Sequence, residues 1–196
     1  MVYVLRDKWA IEAQEYEQEG REVISQIDSS LKYVKRLFPS SVIVCRVEKA
    51  GSIYILKMAK KGRHWGIEHL RREREALKIA SEISGITHLI QDYEDLENYA
   101  NPILKEFYKG TDLLRLGKKI RNTPIQRKLE TTVHDLHRAG IADLDLHPRN
   151  IVLSPHKKDA RIIEIGDCKF RREEEYSKFD QWVKKDLSTL ENFILE

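Results

Sequence analysis

The sequence predicts an α+β chain, with strands around one long helix in its first half and helices around a two-strand insert in its second. Three observations predict this. The run SVIVCRVEKAGSIYILKMAK is dense in Val, Ile and Tyr and is broken by the turn-like Lys49-Ala50-Gly51-Ser52, the pattern of a β-hairpin. The string IEHLRREREALKIASEI places Ile67, Leu70, Leu77 and Ile79 or Ala80 on one face at helical spacing. Beyond Gly110, two helical stretches precede two short apolar strands and a last helix. A length of 196 residues, an apolar fraction of 41% and only 14 Gly and Pro together suffice for a buried core without disulfides or metals, and exclude wholesale disorder.

In chain order, residues 8–37 carry apolar positions at helical spacing and predict two helices, with a break near Gly20 and a second cap at Asp28 or Ser29. The hairpin and the long amphipathic helix follow. After Gly85, THLIQDYEDLENYANPILKEFYKG reads as two further strands around a loop near Leu96 to Asn101. Asp112 to Ile120 and Pro124 to Ala139 read as helices, the second opened by Thr123 as cap and Pro124 at the first helical position. Ile151 to Leu153 and Arg161 to Ile165 are short strands, and residues 179–195 form the closing helix. No stretch approaches the roughly 20 apolar residues of a membrane helix, and MVYVLRDKW has no signal-type apolar block, so the expectation is a cytoplasmic protein with no membrane span.

Cys45 and Cys168 lie far apart, outside any CxxC or Cys/His ligand spacing, and read as two reduced structural thiols. The net charge of +3, from 35 basic and 32 acidic residues, is too small to point to nucleic acid. From Lys57 to Lys78, however, eight Lys/Arg face three carboxylates, which reads as a solvated helix face or as an anion-binding face able to contact RNA. His134 and His137 read as surface or packing histidines, and Trp9, Trp65 and Trp182 as packing or partner contacts.

The segment from Gly140 to Leu153, GIADLDLHPRNIVL, is the richest in chemistry. It sets a carboxylate, Asp145, five residues before a carboxamide, Asn150, in a polar loop between a helix and a buried strand. A loop held at both ends can keep a proton acceptor close to a metal-ligating amide. Fourteen residues past Asn150, the strand RIIEIGD delivers Glu164, a glycine and Asp167. Carboxylates and an amide oxygen suit Mg²⁺, a hard cation that prefers oxygen ligands.

At these residues the sequence resembles the protein-kinase-like superfamily. Asp145-Leu-His-Pro-Arg-Asn150 fits the catalytic loop D-x-x-x-x-N, Leu136 to Ile141 fits its lead-in, and Glu164-Ile165-Gly166 stands where that family has D-F-G. Lys57, at the end of YILK, fits the phosphate-contacting lysine, and Glu73 fits its helix partner, with Glu75 as competitor. ILKEFYKG, with Glu106 and Tyr108, resembles the hinge whose backbone holds adenine, and Asp186 resembles the helix aspartate that supports the catalytic loop from below. Only some twenty residues separate Glu164 from Asp186, so the chain looks most like a small atypical branch. Candidates are the RIO-type kinases and the kinase/ATPase subunit of the complex that makes threonylcarbamoyladenosine in tRNA; lipopolysaccharide-core sugar kinases share the short loop style.

The resemblance implies a bilobal fold, with a small antiparallel-sheet N-lobe over 38–105 and a hinge and reduced helical C-lobe over 106–196, preceded by a helical extension over 1–37. It implies ATP and Mg²⁺ in the cleft, with Asp145 as catalytic base, Asn150 and Glu164 or Asp167 as metal ligands, and an acceptor hydroxyl on a protein or a small molecule. Departures are equally legible. No G-x-G-x-x-G precedes the hairpin, where Phe38 to Ser41 stand instead. Asp143 and Leu144 replace the family's usual pair before the catalytic aspartate, Glu164 replaces aspartate, and Lys105 takes the place that closes the back of the adenine pocket. These favour the alternative of a catalytically degenerate kinase-like module that binds a protein partner. A further alternative is an ATPase subunit of an RNA-modifying assembly.

Overall fold

The computed structural model describes residues 17–38, 42–117, 120–121, 124–156 and 158–195. The expected helix start near residue 8, Trp9 and the Pro39 to Ser41 stretch lie outside them. The chain is α+β and divides into two compact units, one running to Leu70 with Ile90–Phe107, the other comprising Arg71–Leu89 and Tyr108 onward.

The first unit is built on a five-stranded sheet. Helix α1, residues 17–27, leads into β1 (Lys32–Phe38), β2 (Val42–Lys49) and β3 (Ser52–Lys60). Helix α2 (His64–Ile79), which the division at Leu70 splits between the two units, precedes β4 (Leu89–Asp92) and β5 (Tyr99–Glu106) in the chain, and the spatial order of the sheet is β1-β2-β3-β5-β4. The β2–β3 register closes at Lys49 opposite Ser52. Ala50 and Gly51 both have positive φ, 49° and 80°, so the hairpin turns in two residues of the kind that matches strand twist. Val23 and Ile24 of α1 pack with Ile43, Cys45, Val47, Leu56, Met58 and Leu104 in one apolar cluster. Gly20 does not break the helix. A Cβ there would meet Tyr33 Cε2 at 2.9 Å and Cys45 Sγ at 3.3 Å, so glycine lets α1 approach the sheet closely.

One expectation fails here. The second helix placed after Asp28 is strand β1, antiparallel to β2. Its register shifts between Tyr33 and Lys35 and again between Arg36 and Phe38, and such bulges erase the period-2 alternation by which a strand is read.

The second unit is mostly helical. Short β6 (Thr111–Asp112) enters α3 (Leu113–Leu116), followed by β7 (Ile120–Arg121), α4 (Pro124–Arg138) and β8 (Ile141–Ala142). A 3-10 turn (Pro148–Asn150) precedes β9 (Ile151–Leu153), then come β10 (Ala160–Ile162), β11 (Lys169–Phe170), α5 (Tyr176–Phe193) and β12 (Ile194–Leu195). The strands pair as β10-β9-β6, β11-β8 and β12-β7. The helix expected over Asp112 to Ile120 shrinks to α3 because Gly117, at φ 56°, ends it with a left-handed cap. Helix α4 buries Ile125, Leu129, Thr132, Val133, Leu136 and His137, the i, i+4, i+7 stripe of a helix packed on one face. Gly85, at φ 91°, lies so near α4 that a Cβ would fall 2.0 Å from Thr132 Oγ1.

Candidate active site

The loop between β8 and β9 is held from beneath by one carboxylate. Asp186, on α5 and 2% exposed, accepts the Leu144 N–H at 3.0 Å through Oδ1. Its Oδ2 lies 2.9 Å from Nε2 of His137, itself 5% exposed on α4. Leu144 immediately precedes Asp145, so the backbone entering the candidate base is fixed by a buried bond. The support expected of Asp186 is present. His137, read from sequence as surface or packing, is its partner 49 residues away. The lead-in is tied too: Arg171 N–H donates to the Gly140 carbonyl at 2.9 Å, and the Arg171 guanidinium to that of His137 at 3.1 Å.

Within the loop, Asp143 and Asp145 both take the left-handed conformation, φ 56° and 45°. Non-glycine residues adopt it rarely, Asp among the more tolerant, and such positions persist where the surroundings over-determine them. Asp143 is held by the ammonium of Lys185, whose pKa is raised first by that hydrogen bond. Asn150 closes the loop: its Nδ2 donates to the Asp145 carbonyl at 3.0 Å and to Asp145 Oδ2 at 3.2 Å. An amide has one nitrogen and one oxygen, so with Nδ2 turned to Asp145 the Asn150 Oδ1 is left as the acceptor end. The His147 imidazole accepts the Arg149 N–H at 3.2 Å, giving His147 a structural part in the turn.

Glu164 follows β10. The N–H of Ile163 donates to the Asn150 carbonyl at 2.8 Å, so a backbone bond ties Asn150 to the residue preceding Glu164. Carboxylate oxygens of Glu164 and Glu73 lie within 4.8 Å of one another, and Glu73 is fully buried. Asp167 sits exposed in the next turn. Cys168 is buried and reduced, its thiol pushed up to about 12 by burial, as Cys45 is to about 11 in the first unit.

In the first unit Lys57 is 4% exposed on β3, the middle strand, opposite Val44 of β2 and Ile103 of β5. Lys105 is buried on β5 and Glu106 half-buried at its end, opposite Tyr54. Tyr108 belongs to the second unit. Its hydroxyl donates to Asp159 Oδ2 at 3.0 Å, and burial followed by that bond raises its pKa. The basic run is substantially paired: Lys60 meets Glu19 at 2.6 Å, Arg71 meets Glu75 at 3.3 Å and Arg72 meets Glu173 at 2.9 Å.

No family model matches the chain. Over 146 residues, 70% of its length, it is 30% identical to calcium-dependent protein kinase 4 of Plasmodium falciparum (isolate 3D7), and it spans 27% of that relative. This similarity points to a kinase-like relationship, without singling out a branch of it.

Proposed function

We propose that the chain is a kinase-like phosphotransferase of an atypical serine/threonine type that moves the γ-phosphate of ATP to a hydroxyl. The observation that carries this reading is the Asp145–Asn150 loop, closed by the Asn150 amide and braced through Leu144 by Asp186. Phosphoryl transfer needs little covalent chemistry from a protein; positioning and charge stabilisation do most of the work. With Asn150 on Asp145 Oδ2, Oδ1 is the atom to orient an acceptor hydroxyl and take its proton. The hydroxyl oxygen then bonds to the γ-phosphorus while the bond to the β-bridging oxygen breaks, leaving ADP.

The donor set fits Mg²⁺, since Asn150 Oδ1 and the Glu164 carboxylate are hard oxygens on joined segments, with Asp167 as rival. When bound there, the ion would neutralise phosphate charge. Lys57 contacts the α/β-phosphates in this reading, with Glu73 as partner, and the backbone around Glu106 and Tyr108 takes adenine. A buried lysine on the third strand, ahead of a helix carrying a buried glutamate, is the context in which a phosphate-contacting lysine is found.

A second reading, a catalytically degenerate binding module, is favoured by the departures from the family pattern: the missing glycine-rich loop, Asp143 before the loop aspartate, and Glu164 in place of aspartate. Thermal stability with ATP separates the two. Ligand at 100 times its Kd adds about 2.7 kcal/mol. The phosphotransferase reading expects that gain with Mg²⁺, its loss in Lys57→Ala and its retention in Glu164→Asp. Equal stabilisation with and without Mg²⁺ supports the degenerate module, and no stabilisation overturns both. An RNA contact would rest on Lys61 and Arg63 beside Trp65, which is exposed and stacked on His69 at 5.0 Å. It predicts binding that weakens steeply with salt.

A further inference from the structure

Arg149 stands four residues after Asp145, and the turn between them is closed by hydrogen bonds that fix how the two backbones stand to each other. The His147 N–H donates to the Asp145 carbonyl at 2.6 Å and the Asn150 N–H to the His147 carbonyl at 2.7 Å. The His147 imidazole takes the Arg149 N–H, and the Asn150 amide returns to Asp145. Arg149 is exposed and has no carboxylate partner among the described residues.

A second cation stands at the entry to the loop. Lys169 of β11 lies opposite Ala142 of β8, the residue before Asp143. Its ammonium is 5.9 Å from the centre of the Trp182 ring and likewise meets no carboxylate among the described residues. The neighbouring acids are committed already: Lys185 Nζ lies 2.5 Å from Asp143 Oδ1, Asp186 is buried beneath Leu144, and Asp167, two residues before Lys169, has a partner of its own. Asp145 thus stands exposed between two cations that lack a counter-charge, one at each end of its loop.

We infer that the acceptor is an acidic peptide, whose serine or threonine hydroxyl goes to Asp145 while carboxylates flanking it meet Arg149 and Lys169. The inference rests on the phosphotransferase reading and names its substrate class. An extended peptide advances about 3.3 Å per residue, so side chains one or two positions from the acceptor are those within reach of long cationic side chains. A carboxylate there gives each cation the counter-charge it lacks, and the planar fork of Arg149 suits it with two parallel hydrogen bonds. A basic peptide would bring like charge to both. The hydroxyl proton passes to Asp145, the oxygen bonds to the γ-phosphorus and ADP leaves, so the product is a phosphopeptide with its acidic flanks unchanged.

The test measures steady-state transfer from ATP, with Mg²⁺, to three peptides that differ only in whether Asp, Ala or Arg flanks a single serine, alongside the thermal shift of the full chain with Mg²⁺ and ATP. The acidic peptide should exceed the neutral one in kcat/KM by about tenfold, the basic one should fall lower still, and the preference should shrink as salt rises. Arg149→Glu and Lys169→Gln should each weaken the acidic peptide through its KM, with the KM for ATP as in wild type, and Arg149→Glu should raise the basic peptide. Equal kcat/KM for the three peptides, a preference for the basic one, wild-type preference in both variants, or an Arg149→Glu loss confined to the KM for ATP overturns the inference. So does transfer to none of the peptides by a chain that Mg²⁺ and ATP stabilise, which leaves the phosphotransferase reading standing. Absence of that stabilisation overturns the reading and the inference with it.

Discussion

The two units use their acids to different ends. In the second unit Asp186 faces a backbone amide and an imidazole, and what it fixes is the path of a loop. In the first, Glu19 takes hydrogen bonds or ion pairs from Arg36, Lys60 and Tyr99, while Asp28 takes them from Ser30, Lys49 and Tyr93, and what they fix is α1 and the turn after it against the sheet. Opposite charges shared among several partners pin one element to another and tolerate the loss of one contact. A single carboxylate facing buried donors does not.

The sharpest way to break this comparison is Asp186→Ala, which leaves the buried Leu144 N–H and His137 Nε2 without their acceptor. The expected loss is about 2–5 kcal/mol in urea unfolding. Asp186→Asn, which keeps an oxygen for Leu144, loses clearly less. A cost for Asp186→Ala below that of an ordinary surface substitution would remove the bracing role.

Glu19→Gln comes next, at about 1–2 kcal/mol, because Tyr99 and part of the helix packing remain. The same acids set a pH dependence. Burial pushes Glu19 up, but the bonds from Lys60, Arg36 and Tyr99 hold it below its ordinary 4.5. The Ser30 hydroxyl, then Lys49, hold Asp28 well below its ordinary 3.8. A depressed carboxylate stabilises the fold above its unfolded pKa and loses that contribution as pH falls through the folded one. Stability should therefore decline from about pH 4 downward, and the decline should be flatter in Asp28→Asn; identical acid profiles would contradict the assignment. Smallest is Lys185→Met, at about 0.5 kcal/mol or less, because the ammonium facing Asp143 is exposed to solvent. A loss comparable to that of Asp186→Ala would show that the two left-handed aspartates depend on the surface ion pair.

Much of this was legible in the sequence where the signal is local. The β2–β3 hairpin follows from apolar runs around Ala50-Gly51, α4 from Pro124 and its stripe, the expected cap Thr123 lying outside the described residues, and the loop from the spacing of Asp145 and Asn150. Asp186 was identified by resemblance, and the structure puts it under Leu144. The remainder is tertiary. Strand β1 looks helical because two bulges break its alternation, and β6, β7, β8 and β11 are two residues each, too short to show any period. His137 gains its role from a residue 49 positions on, and Glu73 meets Glu164 across 91, distances at which no spacing pattern operates.

We propose that Asp145 is the proton acceptor in phosphoryl transfer. It is tested by measuring, in one preparation, ATP binding and ADP formation by wild type and Asp145→Ala with Mg²⁺. Asp145→Ala should keep nearly unchanged nucleotide affinity and turn over more slowly by about 10²- to 10⁴-fold. Equal turnover by the two proteins, or loss of nucleotide binding in step with turnover, would contradict it.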